Sequence, residues 1–419
     1  MRIHSLFFVL VAGYLIGHSV QVHGEETSDD DKKIRSAAAG ELAAVNQLDA
    51  EAVSALIVAL VDGDERTRIA TSDALKAHPE AASLAVAALL KKMTDESLDA
   101  GGRPIWYVAS RALGRMGDTS LSTLLEQLED ANPLLVRATC VAIAEIEPPA
   151  KPAVAKLIPL LASQNDGLRH IACHALIAIG PPAKMAVNPL SKLLDHENLH
   201  TQYWSCRALG SIGAPAALPA VEKLITLTRE GAASVRRNAV MALGEIGIEA
   251  GPKMLQALSD ALQDKTQPVR AVAAEALTKI GPPAKETLPA LKQAIDRPFF
   301  RARVQAALAI WKISGETELA VRVLLEEFES INAPWEVAAA FSELGEAGAS
   351  AVPGLTKLLT AEQATTRLFV IDALAAIGVA SKPSLPALNK RLDDDNDDVR
   401  AAARQAIDLI GGKAAPSGC

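Results

Sequence analysis

Three histidines are the residues of this sequence with the clearest potential for metal chemistry. His170 and His174 are four residues apart, which places both on one face of a helix, and His200 follows farther along the chain. Such a set could hold zinc. However, Ile171 follows His170, so the glutamate of an H-E-x-x-H metalloprotease signature is missing. We therefore expect no metal here, with a metal site at the three histidines as the alternative.

A second set of residues combines guanidinium groups with tyrosine and histidine rings. Guanidinium groups and tyrosine hydroxyls suit the recognition of carboxylate, sulfate or phosphate. In a chain of net charge −8, their concentration in one region predicts a surface that binds an acidic protein segment or an anionic polymer. The competing interpretation is that these side chains only solvate an exposed helix face. The set comprises Tyr107, Arg111, Arg115, Arg137, His170, His174, Tyr203, Arg207 and Arg237.

Motifs of catalysis are missing from the rest of the sequence. There is no glycine-rich phosphate loop, no Gly-x-Ser-x-Gly turn and no Cys/His arrangement for nucleophilic attack. We therefore expect a non-catalytic protein without a cofactor.

The elements that position these residues are set by an internal repeat. The phrase A-L-x-x-I-G recurs, and most successive copies begin 33 or 34 residues apart. Clear copies begin at Ala112, Ala175, Ala208, Ala242, Ala276 and Ala373, and weaker ones at Glu41, Ala74, Ala142, Ala309, Ala340 and Ala406. We call the first residue of each copy its anchor.

Each copy predicts a pair of helices. Apolar residues recur at helical spacing before the anchor and after it, as in Ala172, Leu176 and Ile179. A glycine then follows, where a helix end favours a left-handed residue, and a proline-containing turn leads into the second helix. These glycines are Gly117, Gly180, Gly213, Gly247, Gly281 and Gly378. No stretch alternates like a β-strand, so the sequence predicts an all-α fold.

An arginine stands six residues before the anchor in eight copies. We expect this column to be structural, bonding the preceding acidic turn and helix-end carbonyls so that one repeat is tied to the next. Its members are Arg35, Arg68, Arg169, Arg236, Arg270, Arg303, Arg367 and Arg400.

The repeat phrase, together with the arginine column, resembles HEAT repeats of the phycobilisome-lyase type. The resemblance covers residues 34–411 and implies a right-handed α-solenoid of about 11–12 helix pairs. In such repeats, residues five and one before the anchor and three after it line the concave, ligand-binding surface. Tyr107, Arg111 and Arg115 occupy these positions. The resemblance brings no lyase catalytic residue with it.

The region around Arg169 and His170 also resembles deoxyhypusine hydroxylase, an enzyme built from such repeats. That family needs several His-Glu dipeptides on helices of both halves to hold two irons. Here the one His-Glu dipeptide, His196-Glu197, falls in a turn. The resemblance therefore implies that this activity is absent. A lyase-like or hydroxylase-like enzyme using His170, His174 and His200 remains the alternative.

The N-terminus predicts export. An apolar run of about 13 residues follows Met1-Arg2, which is too short to span a bilayer but typical of a signal peptide. Small residues at Val22 and Gly24 favour cleavage after Gly24. We expect a signal peptide over 1–24, an acidic linker over 25–33, repeats over 34–411 and a tail over 412–419. The mature protein would then be periplasmic or extracellular without a stable membrane span.

Composition narrows the partners further. The net charge of −8 argues against nucleic-acid binding. Only 3% of the residues are aromatic, which suits helices packed through small side chains.

Cys140, Cys173 and Cys206 share one repeat position, where we expect small buried side chains rather than disulfides. In the later copies Val304, Leu308, Trp311, Trp335 and Leu368 predict a more apolar exposed strip. The oligomeric state stays open.

Overall fold

A computed structural model describes residues 50–62, 65–99, 102–296, 300–330 and 334–411. The predicted signal peptide, the acidic linker, the tail, the copy at Glu41 and Arg35 lie outside these residues, and so does Cys419. The chain forms two compact units, Met1–Ala220 and Val221–Cys419.

The described residues fold into helix pairs. The first unit contains α1 (Ala50–Asp62), α2 (Glu65–Lys76), α3 (Pro79–Lys92), α4 (Ile105–Arg115), α5 (Asp118–Gln127), α6 (Pro133–Ala144), α7 (Val154–Leu157), α8 (Asp166–Ile179), α9 (Val187–Leu193) and α10 (Leu199–Ile212). The second contains α11 (Val221–Glu230), α12 (Ala233–Ile246), α13 (Pro252–Ala261), α14 (Gln267–Ile280), α15 (Leu288–Ile295), α16 (Phe300–Ser314), α17 (Thr317–Ser330), α18 (Pro334–Leu344), α19 (Val352–Leu358), α20 (Ala364–Ile377), α21 (Leu385–Lys390) and α22 (Asp397–Ile410).

The even-numbered helices carry the repeat phrase, and we call them the anchor helices. Together with the odd-numbered helices they make eleven pairs in the described part of the chain, five in the first unit and six in the second. The only extended pairing among these residues is an isolated bridge between Leu98 and Pro104. The predicted all-α fold of the α-solenoid class is confirmed.

Glycine ends the anchor helices as the sequence predicts. The six predicted glycines all have positive φ, from 61° at Gly117 to 76° at Gly247. This left-handed conformation carries no steric penalty at glycine. A short 3-10 turn then follows in several repeats, as over Pro181–Ala186 and Pro282–Thr287. The chain thereby reverses direction between the two helices of a pair.

The anchor helices pack on one another through small residues. Ala112, Ala142, Ala175 and Ala208 are all buried. Gly114 of α4 lies so close to α6 that an added Cβ would overlap the Ala142 carbonyl oxygen. Close helix approach therefore takes the place of large aromatic side chains in the core.

The arginine column has the predicted structural role in the described repeats. Arg236 donates to the Gly231 carbonyl at 3.0 Å and to the Asp264 carboxylate at 2.7 and 2.8 Å. Arg367 makes the same type of contact with the Ala361 carbonyl and Asp394. Each guanidinium thus joins the turn before its own helix to the acidic turn that follows the next helix.

One stretch of the described residues, Ala364–Asp393, is long and apolar enough to cross a membrane by length and composition alone. In the structure it comprises α20, a 3-10 turn and α21, with the left-handed Gly378 between the helices. Val370, Leu374 and Leu388 are buried in the core of the second unit. Packing within that unit accounts for its apolar composition.

The predicted apolar strip is wrong at two positions. Val304 and Leu308 are buried because they pack in one core cluster with Leu324 and Phe341, and Trp311 and Leu368 are partly buried against the same core. Only Trp335 is substantially exposed, at 54%.

The three cysteines of the shared repeat position are buried free thiols, as expected. Burial raises the pKa of Cys140, Cys173 and Cys206 to about 12.

Candidate functional site

Arginine side chains stack on aromatic rings along the anchor helices of the first unit. The Arg137 guanidinium of α6 lies 4.3 Å from the centroid of the Trp106 ring on α4. Trp106 in turn meets Tyr107 edge-on, with 5.7 Å between ring centroids. Arg137 is exposed, unlike the buried arginines of the column, and therefore lies on the surface face as predicted.

Arg111 is not a free positive charge. Its Nε and Nη2 donate to the two carboxylate oxygens of Glu145 at 3.1 and 3.4 Å, and both side chains are about one-third exposed. The Arg111 guanidinium also lies 5.9 Å from the Tyr107 ring centroid. The surface is therefore less basic here than the sequence predicts, since Glu145 neutralises one of its arginines.

A second aromatic cluster lies on α10. The Tyr203 and Trp204 rings meet edge-on at 5.2 Å, and the Arg207 guanidinium lies 6.0 and 5.5 Å from their centroids. No carboxylate of the described residues forms an ion pair with Arg207, and the same holds for Arg137. Both arginines therefore rest on rings while their charge stays available.

His174 of α8 joins the two clusters. Its ring lies 6.0 Å from the Trp204 ring, edge to face. Partial burial lowers the pKa of His174, the Arg207 charge lowers it further, and the Glu145 carboxylate opposes both. His174 therefore responds to the charges of both Glu145 and Arg207. We call the whole surface the central platform; its residues are Trp106, Tyr107, Arg111, Arg137, Glu145, His174, Tyr203, Trp204 and Arg207.

His170 has a local structural contact. Its Nε2 lies 3.1 Å from the Oγ1 of the buried Thr201, and its ring centroid is 6.1 Å from that of His200. Burial lowers the pKa of His170, and the Asp166 carboxylate opposes this effect. His170 thus borders the platform through the α8–α10 contact.

The three histidines do not assemble into a metal site. In the part of the chain that the structure describes, no three His, Cys, Asp or Glu side chains come together in a way that could hold a metal ion. His170 faces Thr201 and His200, whereas His174 faces Trp204.

Two predicted site residues lie apart from the ring stacks. Arg115 lines a cavity of about 300 Å³ with Asp73, Lys76 and Glu147, and Glu145 closes one side of it. Arg237 belongs to the second unit, where it lines a cavity of about 450 Å³.

Sequence reasoning missed three platform residues. Trp106 falls at the position of the arginine column, and Trp204 falls four residues before its anchor, where most copies have an apolar or small residue. Glu145 falls three residues after the anchor Ala142, which is one of the predicted surface positions. The indication for Glu145 was therefore its repeat position, and that for the tryptophans was composition: Trp106 and Trp204 are two of only four tryptophans in the chain, and both adjoin a predicted tyrosine.

Comparisons with known proteins agree with this architecture. The described helix pairs define a protein of the α-solenoid class. A family model described as HEAT repeats matches residues 154–232, 221–311 and 321–408. These segments cover more than half of the chain, which therefore belongs to the HEAT-repeat family. The specific phycobilisome-lyase type is not distinguished by this match.

One solved structure supports the fold, and two others align with lower scores. Yeast importin-beta (Kap95p) aligns at 14% identity with a TM-score of 0.58, over 96% of this chain and 62% of its own length. An engineered protein aligns at 21% identity over 96% of this chain and 98% of its own, with a TM-score of 0.37. The YibA protein of Escherichia coli aligns at 20% identity over 68% and 98%, with a TM-score of 0.46. No curated protein matches the chain significantly.

Proposed function

We propose that the protein is an exported, non-catalytic scaffold that binds an acidic protein segment on the central platform. The observation that carries the proposal is the pair of ring-stacked arginines, Arg137 and Arg207, that have no carboxylate partner in the described residues. Stacked repeats offer extended surfaces of this kind to partners, and HEAT-repeat folds commonly serve as protein-binding scaffolds. Export is proposed from the N-terminal segment, which lies outside the described residues.

The platform favours a protein segment over a dense anionic polymer. Only Arg137 on α6 and Arg207 on α10 keep their charge available, because Glu145 pairs with Arg111, and the anchor helix α8 lies between α6 and α10 in the chain, so positive charge does not run continuously along the surface. A polyanion gains most from a continuous stripe of positive charge. An acidic segment with interspersed apolar side chains instead matches both the arginines and the rings of Trp106, Tyr203 and Trp204.

The test uses a synthetic peptide of alternating glutamate and leucine, with a lysine/leucine peptide and dextran sulfate as comparison probes. Binding to the purified mature chain is measured by fluorescence anisotropy. We expect the acidic peptide to bind, and Arg137→Gln plus Arg207→Gln to weaken it at least about tenfold, since two charge-assisted hydrogen bonds are lost. The matched control is Arg229→Gln plus Arg322→Gln, which alters two exposed arginines of α11 and α17.

Other results would overturn parts of the proposal. Equal weakening by the control pair would remove the platform as the site. Tighter binding of dextran sulfate than of the acidic peptide would replace the protein segment with an anionic polymer. Stoichiometric zinc or iron in the purified protein would favour the metal-dependent alternative.

Export is tested separately, by mass spectrometry of the N-terminus in the exported fraction. We expect a mature chain that begins at Glu25.

A further inference from the structure

The second unit has a binding cavity of its own. Its volume is about 450 Å³, within the range of small-ligand sites. Three consecutive anchor helices contribute polar groups to its lining: Arg237 from α12, Gln267 and Glu275 from α14, and Arg301 and Gln305 from α16. The cavity is therefore lined by two guanidinium groups and two primary amides, all of which can donate hydrogen bonds to a ligand.

The two guanidinium groups are available to a ligand. Arg237 is exposed and forms no ion pair with a described residue. Arg301 Nε lies 3.8 Å from Glu336 Oε2, which is longer than a hydrogen bond, and its side chain is 60% exposed. An exposed pair at this distance contributes little and yields readily to a better acceptor.

The remaining lining limits the ligand's charge and gives it an apolar neighbour. Glu275, which pairs with Lys279 at 3.3 Å, puts a carboxylate beside the two arginines. A phosphate or a dense polyanion is disfavoured next to this charge, whereas a single carboxylate is tolerated. The wall between the polar groups includes Ala271 and Val272, which suit the apolar part of a ligand.

We propose that this cavity binds one carboxylate of a protein segment, flanked by Arg237 and Arg301, with the adjoining side chain of the segment against Val272. The carboxylate is either the chain-terminal group or a glutamate or aspartate side chain. The cavity is a different site from the central platform, since all of its lining residues belong to the second unit.

The experiment uses three short peptides and inorganic phosphate, titrated calorimetrically into the mature chain. Acetyl-Gly-Ala-Val carries a free terminal carboxylate, its C-terminal amide carries none, and acetyl-Gly-Glu-Val-amide carries a side-chain carboxylate. We expect one or both carboxylate peptides to bind and the neutral amide and phosphate not to bind. Arg237→Gln or Arg301→Gln should weaken binding about tenfold, the effect of one charge-assisted hydrogen bond. Glu275→Gln should strengthen it and admit phosphate.

Controls keep this result separate from the platform. Arg322→Gln changes an exposed arginine outside the cavity and should leave the affinity unchanged. The double platform variant, Arg137→Gln with Arg207→Gln, should also leave it unchanged, whatever becomes of the longer acidic peptide. Circular dichroism verifies that each variant is folded. Equal affinity for the neutral amide, no binding of any peptide, or indifference to both arginine variants would each overturn the inference.

Discussion

Two regions of the anchor helices use the same residue type in opposite ways. Arg236 and Arg237 are neighbours in sequence, but Arg236 is 4% exposed and bonds to Gly231 and Asp264, whereas Arg237 is exposed and lines a cavity. Successive residues of a helix point about 100° apart, so one lies in the repeat interface and the next on the outer face. The arginine column therefore holds the repeats together, whereas residues on the outer face of the same helices, such as Arg237, meet the solvent.

Burial determines how much each arginine contributes to stability. A buried guanidinium that loses its carboxylate leaves an uncompensated charge, which costs several kcal/mol. An exposed ion pair contributes about 0–1 kcal/mol. The column should accordingly control stability, while the platform should control binding with little effect on folding.

The largest expected effect is that of Arg367→Ala. Arg367 is 6% exposed and donates to the Ala361 carbonyl at 3.0 Å and to Asp394 at 2.6 Å. Its removal leaves the buried Asp394 with Arg391, at 3.1 Å, as its remaining ion pair, so we expect the free energy of unfolding to fall by about 3 kcal/mol in urea denaturation. Arg322→Ala, at an exposed pair, is the control and should change it by less than about 0.5 kcal/mol. Similar losses in the two variants would contradict the division between the regions.

The same pair predicts an acid-sensitive part of the stability. Burial alone would raise the pKa of Asp394, but hydrogen bonds from Arg367 and from the Asn396 backbone outweigh it and lower the pKa to about 2 from an ordinary 3.8. A depressed folded-state pKa stabilises the fold above the unfolded value. That contribution is lost as the pH falls from about 4 through about 2.

Asp394→Asn should remove this dependence. We expect the free energy of unfolding to decline less between pH 5 and pH 2 in the variant than in the wild-type protein, measured by urea denaturation at each pH. Parallel declines in the two proteins would show that Asp394 is not the titrating group.

A smaller effect is expected from Gly114→Ala. The added Cβ would overlap the Ala142 carbonyl oxygen and lie 2.5 Å from the Glu145 Cβ. Forcing α4 and α6 apart should cost about 1–3 kcal/mol, partly offset by the better helix propensity of alanine. Gly348→Ala is the control, because its Cβ would meet Phe341 and Ile377 at an ordinary 3.4 Å. Thermal unfolding of both variants measures the difference, and equal melting temperatures would refute the close approach.

The sequence predicts those features of the fold that repeat locally. The left-handed Gly180 and Gly281 follow from the position of glycine after each apolar face, and Arg236 follows from its column. These features recur because every repeat meets the same neighbour in the same way. The eleven helix pairs of the described residues therefore agree with the spacing of the copies, the copy at Glu41 lying outside those residues.

The parts of the site that depend on one particular pair of repeats could not be anticipated. The repeat places Arg111 and Glu145 on the same surface face, but nothing in it shows that these two residues, 34 apart in sequence, pair with each other. Arg137 lies in a copy that begins only 30 residues after the preceding one, so the repeat spacing does not predict its contact with Trp106. The error at Val304 has a related cause, since the rotation of α16 depends on the helices that pack against it.

The smallest expected stability effect is at the platform itself. A double-mutant cycle of Arg137→Gln and Trp106→Leu measures the energy of their stack, which is 4.3 Å from guanidinium to ring centroid. We expect a coupling of about 0.5–1 kcal/mol, the usual contribution of a cation–π contact at a partly exposed site. The same cycle on Arg367 and Asp394, with Arg367→Met and Asp394→Asn, should give a coupling several times larger, because both partners are buried. Comparable couplings would mean that Arg137 is held in place by the fold as firmly as the column is. Its charge would then be a structural part of the repeat rather than a group kept available for a partner.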